Sequence, residues 1–313
     1  MNWKTNSKIK NFISMLPHAI GDRLYYLIQR NFGGLQKTNS LYWPNIEASR
    51  KIWNLISISG NEPKDKVFFE LGTGRVPEIP FYLWLMGSKK IFTVDIQNLL
   101  RENLLNEFFI NVISHESLIK DYLYTDLLDE RFNLFKSEFN NKDREPLHII
   151  KTIMNIEYIP DLDARSTLIK DKTIDYYFSN NVLEHIESKL INEILYEQKR
   201  ITKNEGLMIN YIDYSDHFSH SDDSISSLNF LQYSANEWSR YGDSKFIYMN
   251  RLRHDDFENI FKKLKYKNKY VEISKENDYQ KIIESDNFKL AECFSNKSNE
   301  VLSIIGAWFV HSS

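Results

Sequence analysis

Two groups of residues in this 313-residue chain carry chemistry by type and spacing. The first is Glu70-Leu71-Gly72-Thr73-Gly74, preceded by the apolar run Val67-Phe68-Phe69 and followed twenty-one residues after Gly74 by Asp95. An apolar run stopped by glycines reads as a buried strand. The two glycines then permit a tight turn and a close backbone approach to a ligand. Such a turn before a helix is the usual cradle of a nucleotide-like cofactor in an open α/β sheet. The second group, Asp213, Asp216 and His217, supplies carboxylates and an imidazole just after another apolar run. It suits proton transfer near neutral pH.

The first group departs from a dinucleotide fingerprint in two ways. Pro77 stands where that pattern has its third glycine, and Glu70 puts a carboxylate where a pyrophosphate would suffer from it. A carboxylate suits instead a ligand with an ammonium and a sulfonium, the charges of S-adenosylmethionine. Asp95 closes the apparent strand Ile91-Phe92-Thr93-Val94, where an acid accepts hydrogen bonds from both ribose hydroxyls.

These residues need elements to hold them. With 42% apolar and 14% aromatic residues, the chain can build a core. A formal charge of −3 gives no basic field, which disfavours a nucleic-acid partner. The single Cys293 excludes an intrachain disulfide and a multi-cysteine zinc site. It fits a reducing, cytoplasmic setting. No run long enough to span a membrane and no secretory signal are read. Peripheral membrane contact stays open through the basic, aromatic N-terminal helices.

Residues 1–55 are expected as a helical extension, and 56–313 as one α/β domain. Its strands are expected at 67–71, 91–95, 156–159, 174–179, 206–212, 270–273 and 304–310. Helices fall at 47–58, 78–87, 182–199 and 255–264, with a helical insertion over about 98–152. This alternation predicts a doubly wound, mostly parallel seven-stranded sheet.

Five places in order resemble class I S-adenosylmethionine-dependent methyltransferases. They are Glu70–Gly74; Asp95; Asp163-Ala164; Asp175 together with Asn180-Asn181-Val182-Leu183-Glu184-His185-Ile186; and Asn204-Glu205-Gly206-Leu207. The match runs over roughly 56–215 with the insertion set aside. Val76 replaces a glycine often found in the first of these motifs, and Asn204-Glu205-Gly206 replaces the usual Pro-Gly-Gly.

The resemblance implies a Rossmann-like methyltransferase fold with S-adenosylmethionine as cofactor. It implies that Glu70, Gly72, Thr73 and Gly74 line the methionyl part, and Asp95 and Ile96 the ribose. Asp163 and Ala164 would lie at the adenine edge, and Asn180 and Asn181 beside the transferring methyl. Segments 211–220, 229–231 and 250–253 look like a bacterial subgroup often found in surface-polysaccharide or glycan pathways. The expected enzyme is therefore an O-methyltransferase acting on a sugar or glycan precursor. Another small acceptor, an amine or carboxylate, and a non-catalytic cofactor-binding protein are the alternatives.

Methyl transfer asks the protein mainly to position the acceptor, and a hydroxyl acceptor benefits from a base. His217 is the expected base, oriented by Asp213 or Asp216. A structural histidine bonded to a loop carbonyl is the competing reading. His185, Arg251 and Arg253 are candidates to contact acceptor, the arginines through bidentate binding of an anion. A surface pairing of those arginines with Asp255 or Asp256 is the alternative. Asp216, His217, His220, Asp222 and Asp223 have the chemistry of metal ligands, but such loops are commonly solvated turns, and no metal is expected.

Overall fold

The computed structural model describes residues 2–125 and 127–313; Met1 and Asp126 lie outside them. Seven strands form one sheet: β1 Val67–Leu71, β2 Lys90–Val94, β3 Ile156–Ile159, β4 Ile174–Asn180, β5 Thr202–Asp213, β6 Lys267–Lys275 and β7 Ile304–Ser312. Their spatial order is β3-β2-β1-β4-β5-β7-β6. The first five strands pair in parallel. β7 slots antiparallel between β5 and β6. This is the doubly wound α/β sheet expected from the sequence, with helices on both faces.

The two faces follow from the period-two alternation of strand side chains. Phe68, Tyr176, Phe178, Leu207 and Ile209 enter one core. Their neighbours Phe69, Tyr177 and Met208 enter the other. The N-terminal helices are α1 Trp3–Ser14, α2 His18–Phe32 and α3 Trp43–Ile58; α4 Glu78–Met86 follows β1. α3 and α4 cover the first face together with α5 Glu102–Ser114, α6 Glu116–Leu123 and α7 Leu128–Asn140. The last three, with a short helical turn after them, make up the stretch expected as a helical insertion. α4 is buried nearly all round, from Ile79 to Met86, as a helix enclosed by others must be.

The boundary expected at residue 55 falls inside α3. Ile46, Ile52, Leu55 and Ile56 are buried in the first core, so α3 is an integral wall of the α/β unit. Helical periodicity alone cannot tell an added helix from a covering one.

A third core was not foreseen. Trp3 of α1, Phe218, Phe230 and Trp238 from the segment after β5, and Ile283, Phe294 and Leu302 from between β6 and β7 pack together. Three stretches remote in sequence thus make a cap beside the carboxyl ends of the strands. Phe218, Phe230 and Trp238 are core of this cap. Among the described residues, no helix is long and apolar enough to cross a membrane.

Candidate functional site

β1 delivers the chain into the Gly72–Gly74 turn with both glycines at positive φ, +88° and +68°. The two have different neighbours. A Cβ on Gly72 would lie 2.4 Å from Val182 Cγ2, whereas one on Gly74 would meet nothing within 4 Å. Gly72 therefore lets the turn pack against the loop after β4, and Gly74 borders open space.

Beneath the turn, the Glu70 carboxylate accepts the hydroxyl of Thr93 on β2, and Thr93 and Thr73 share a 2.6 Å hydrogen bond. Burial pushes Glu70 up to about 8, against the pull of the Thr93 bond, and Asp95 adds to the rise. Asp95, at the tip of β2, accepts the Gly74 N–H at 2.9 Å and the Gln97 N–H at 3.0 Å. Its pKa is raised by burial although these backbone bonds oppose the rise.

Asp95 and Ile96 line a cavity of about 430 Å³ with Tyr25, Arg75, Arg101 and Asp161. The α2 helix and the cap meet over it: Tyr25 stacks on Phe246 at 4.1 Å, and Lys245 pairs with Asp22 at 2.8 Å. Sequence reasoning missed Tyr25, Arg75, Arg101 and Asp161. Arg75 adjoins the glycine turn and was open to notice; Tyr25 sits in a separate helix and carried no signal.

Ala164 is buried, while the Asp163 carboxylate is half-exposed and held by Arg165 through Nε and Nη2. It is Asp161, two residues earlier, that lines the Asp95 cavity. Asn180 ends β4, and Asn181 follows in the left-handed region, φ +56°, its N–H on Tyr211 O. Both asparagines line a second cavity of about 470 Å³ with Arg50, Lys51, Tyr211 and Glu272. Lys51 and Glu272 close an ion pair there at 2.7 Å.

The imidazoles cluster at the tips of β4 and β5. His185 and His217 lie with ring centroids 4.8 Å apart and line a cavity of about 160 Å³ with Lys10, Phe218 and Met249. Asp213 Oδ2 is 3.3 Å from His217 Nε2, out of line for a hydrogen bond. Burial would raise Asp213, but His217 and the Ser215 donors outweigh it and hold the carboxyl at about 2. Of the two acids expected to orient His217, Asp213 is the one that stands 3.3 Å from its Nε2. Asp216 is fully buried and accepts Phe218 N–H and Asn229 Nδ2 at 2.9 and 2.8 Å. Those bonds fix the loop, so Asp216 is corrected to a loop-holding residue.

Asp222 is likewise spent on the Trp3 N–H, at 2.7 Å. His220 bonds Ser215 Oγ at 3.2 Å and stacks on His217.

The two arginines are corrected as well. Arg253 is fully buried, donating to the carbonyls of Tyr214, Leu302 and Ile304. It ties the start of β7 to the end of β5. Arg251 donates to Phe230 O and Tyr233 O and lies over Trp238 and Phe294. Both guanidiniums brace the cap, and Asp255 and Asp256 pair with Lys297 instead. The types and spacing of two arginines cannot reveal that a cap buries both of them.

No protein-family model matches the chain, and no curated protein matches it. Among solved structures, 625 chains match. One, from Pyrococcus horikoshii OT3, is 16% identical and covers 91% of this chain and 98% of its own, at a TM-score of 0.46. A second is Haemonchus contortus phosphoethanolamine N-methyltransferase 2 with phosphomonomethylethanolamine and S-adenosylhomocysteine. It is 13% identical over 95% of this chain and 58% of its own, at a TM-score of 0.48. A third, an S-adenosylmethionine-dependent methyltransferase from Methanosarcina mazei, is 13% identical over 80% and 93%, at 0.42. The likeness is one of sheet and flanking helices.

Proposed function

We propose that this chain is an S-adenosylmethionine-dependent methyltransferase acting on a small-molecule hydroxyl. The observation that carries the reading is the pairing of Asp95, which lines the 430 Å³ cavity, with the N–H of Gly74. A ribose laid against Asp95 would put its hydroxyls on an acceptor-only carboxylate. Gly74, with no neighbour at its Cβ position, leaves room for the rest of the cofactor. Glu70, Gly72, Thr73 and Gly74 remain the proposed methionyl side and Ile96 a ribose neighbour. Ala164 with Asp161 is the better-supported adenine edge, given how Arg165 occupies Asp163.

The methyl end then falls toward Asn180 and Asn181 and the cavity they line. Its polar wall of Arg50, Lys51, Tyr211 and Glu272 supports a hydroxyl-rich acceptor such as a sugar or glycan precursor. The work of these residues is to hold the acceptor oxygen in line with the sulfonium carbon. His217 and His185 line the 160 Å³ cavity and not the 470 Å³ one. His217, with Asp213 3.3 Å away, is the proposed site of proton removal from an acceptor hydroxyl that reaches past Asn181 into that smaller cavity. A phosphoethanolamine-like amine acceptor is a second reading, supported only by what one solved structure contains.

Calorimetry with S-adenosylmethionine, S-adenosylhomocysteine and NAD tests the cofactor. Binding of both adenosyl compounds and not NAD is expected; NAD binding alone would sink the proposal. His217→Ala should lower turnover at least about tenfold with cofactor affinity nearly intact. Full activity at every pH in that variant would remove His217 from proton transfer.

A further inference from the structure

We infer that Glu184, His185 and His217 form a binding site for one divalent transition-metal cation at the joined tips of β4 and β5. One ligand atom from each residue lies within 4.8 Å of the other two. Metal–ligand distances of about 2.0–2.2 Å bring ligand atoms to roughly 3–3.5 Å of one another. Small side-chain rotations close that gap.

The independent observation is Glu184 itself. Its side chain is buried, and neither carboxylate oxygen makes a hydrogen bond of good geometry, although the backbone N–H groups of Glu184 and Asp213 face it. A buried acid left bare is costly, and those that persist are paired or coordinate a metal. Its backbone, by contrast, is firmly held. Asn250 donates its own N–H to Glu184 O and its side-chain amide to Leu183 O and Ile186 O. The turn is therefore braced while the carboxylate it presents stays unsatisfied.

The imidazoles are prepared for the same task. His185 Nδ1 donates to Tyr248 O at 2.7 Å, which fixes the tautomer and leaves Nε2 as a lone pair. That is the usual outer bond of a ligating histidine. Asp213 Oδ2, 3.3 Å from His217 Nε2, adds a carboxylate beside the second imidazole.

Two imidazole nitrogens and one carboxylate oxygen favour manganese, iron, cobalt, nickel or zinc over magnesium or calcium. Three protein ligands leave positions open, and both histidines line the 160 Å³ cavity under Lys10. An acceptor hydroxyl bound there would be acidified by the cation. That role rests on the methyl-transfer reading; the binding itself does not. With the cation in place, His217 serves as a ligand and not as a free base. The inference departs from the sequence expectation of no metal. Of the five loop residues with ligand chemistry, only His217 takes part.

The test uses the full chain, stripped with chelator and titrated with Mn²⁺ or Zn²⁺ alone, by electron paramagnetic resonance and calorimetry. One ion per chain is expected. Glu184→Gln and His217→Gln should each weaken binding at least about tenfold, with Asp222→Asn binding as wild type. Mn²⁺ should also broaden the ring resonances of His185 and His217 in the unmutated protein, a readout independent of whether the variants fold. No stoichiometric binding, unbroadened histidine resonances, or wild-type affinity in Glu184→Gln and His217→Gln would overturn the site. Metal binding without S-adenosylmethionine binding would end the methyltransfer reading and leave the site standing; the reverse would end the site alone.

Discussion

The Asp95 carboxylate bonds the Gly74 N–H at 2.9 Å, tying the tip of β2 to the turn that leaves β1. Gln97 N–H occupies its other oxygen at 3.0 Å. The residue proposed to take the ribose is thus also the residue that shapes the cradle, and its two functions separate by substitution.

Asp95→Ala removes both. S-adenosylmethionine affinity should fall at least about tenfold, from loss of charge-assisted hydrogen bonds of roughly 1.5–3 kcal/mol each. Asp95→Asn keeps an oxygen for the Gly74 N–H and should lose less. Equal affinity of wild type and the alanine variant, by calorimetry, would take Asp95 out of the site.

Glu70 predicts a pH dependence of stability. In the unfolded chain it titrates near 4.5, and burial lifts it to about 8 in the fold. Between those values the native state keeps a proton that the unfolded state has released. Stability therefore falls as pH rises through this window, by up to about 1.4 kcal/mol per pH unit from this group. Glu70→Gln should flatten that part of the slope in urea melts between pH 5 and 8. Parallel wild-type and variant profiles would refute the assignment.

The two glycines of the turn should behave differently. An alanine at either position bears left-handed strain of about 1–2 kcal/mol. Gly72→Ala adds the clash with Val182, so it should be the more destabilised, and Val182→Ala should recover part of the loss. Gly74→Ala should lose no more than that strain yet bind cofactor more weakly, its methyl group entering the open space. Equal melting temperatures for the two variants would count against this division.

Arg253→Met leaves three buried carbonyls without their donor. A loss of about 3 kcal/mol or more in chemical denaturation is expected. The cofactor affinity of the folded fraction should be unchanged, because the side chain lines none of the cavities named above. A variant of wild-type stability would return Arg253 to consideration at the surface.

Much of the sheet was legible because burial on both faces writes parallel strands as apolar runs. Val67–Leu71 and Ile174–Asn180 were read nearly to their ends. β5 begins at Thr202, earlier than expected, because Thr202 pairs with Ile174; the register then shifts before Leu207 meets Tyr176, and the loop-like Lys203, Asn204 and Glu205 fall in that irregularity. The stretch expected as helix 182–199 instead opens as a tight turn at Leu183–His185, with its helix at Ser188–Ile201. That turn is what presents Glu184.

The sequence by itself determined the α/β class, the glycine turn with Glu70 and Asp95, and the nearness of Asp213 to His217, four residues on. All of these depend on local pattern and short spacing. Tertiary structure decided what lies far apart along the chain: α1, the segment after β5 and the segment before β7 meeting in one cap. It also decided that Arg253 serves as a buried strut, and that Glu184 and His185 stand beside His217. Which charges end up unpaired depends on long-range packing, and no single window of sequence contains it.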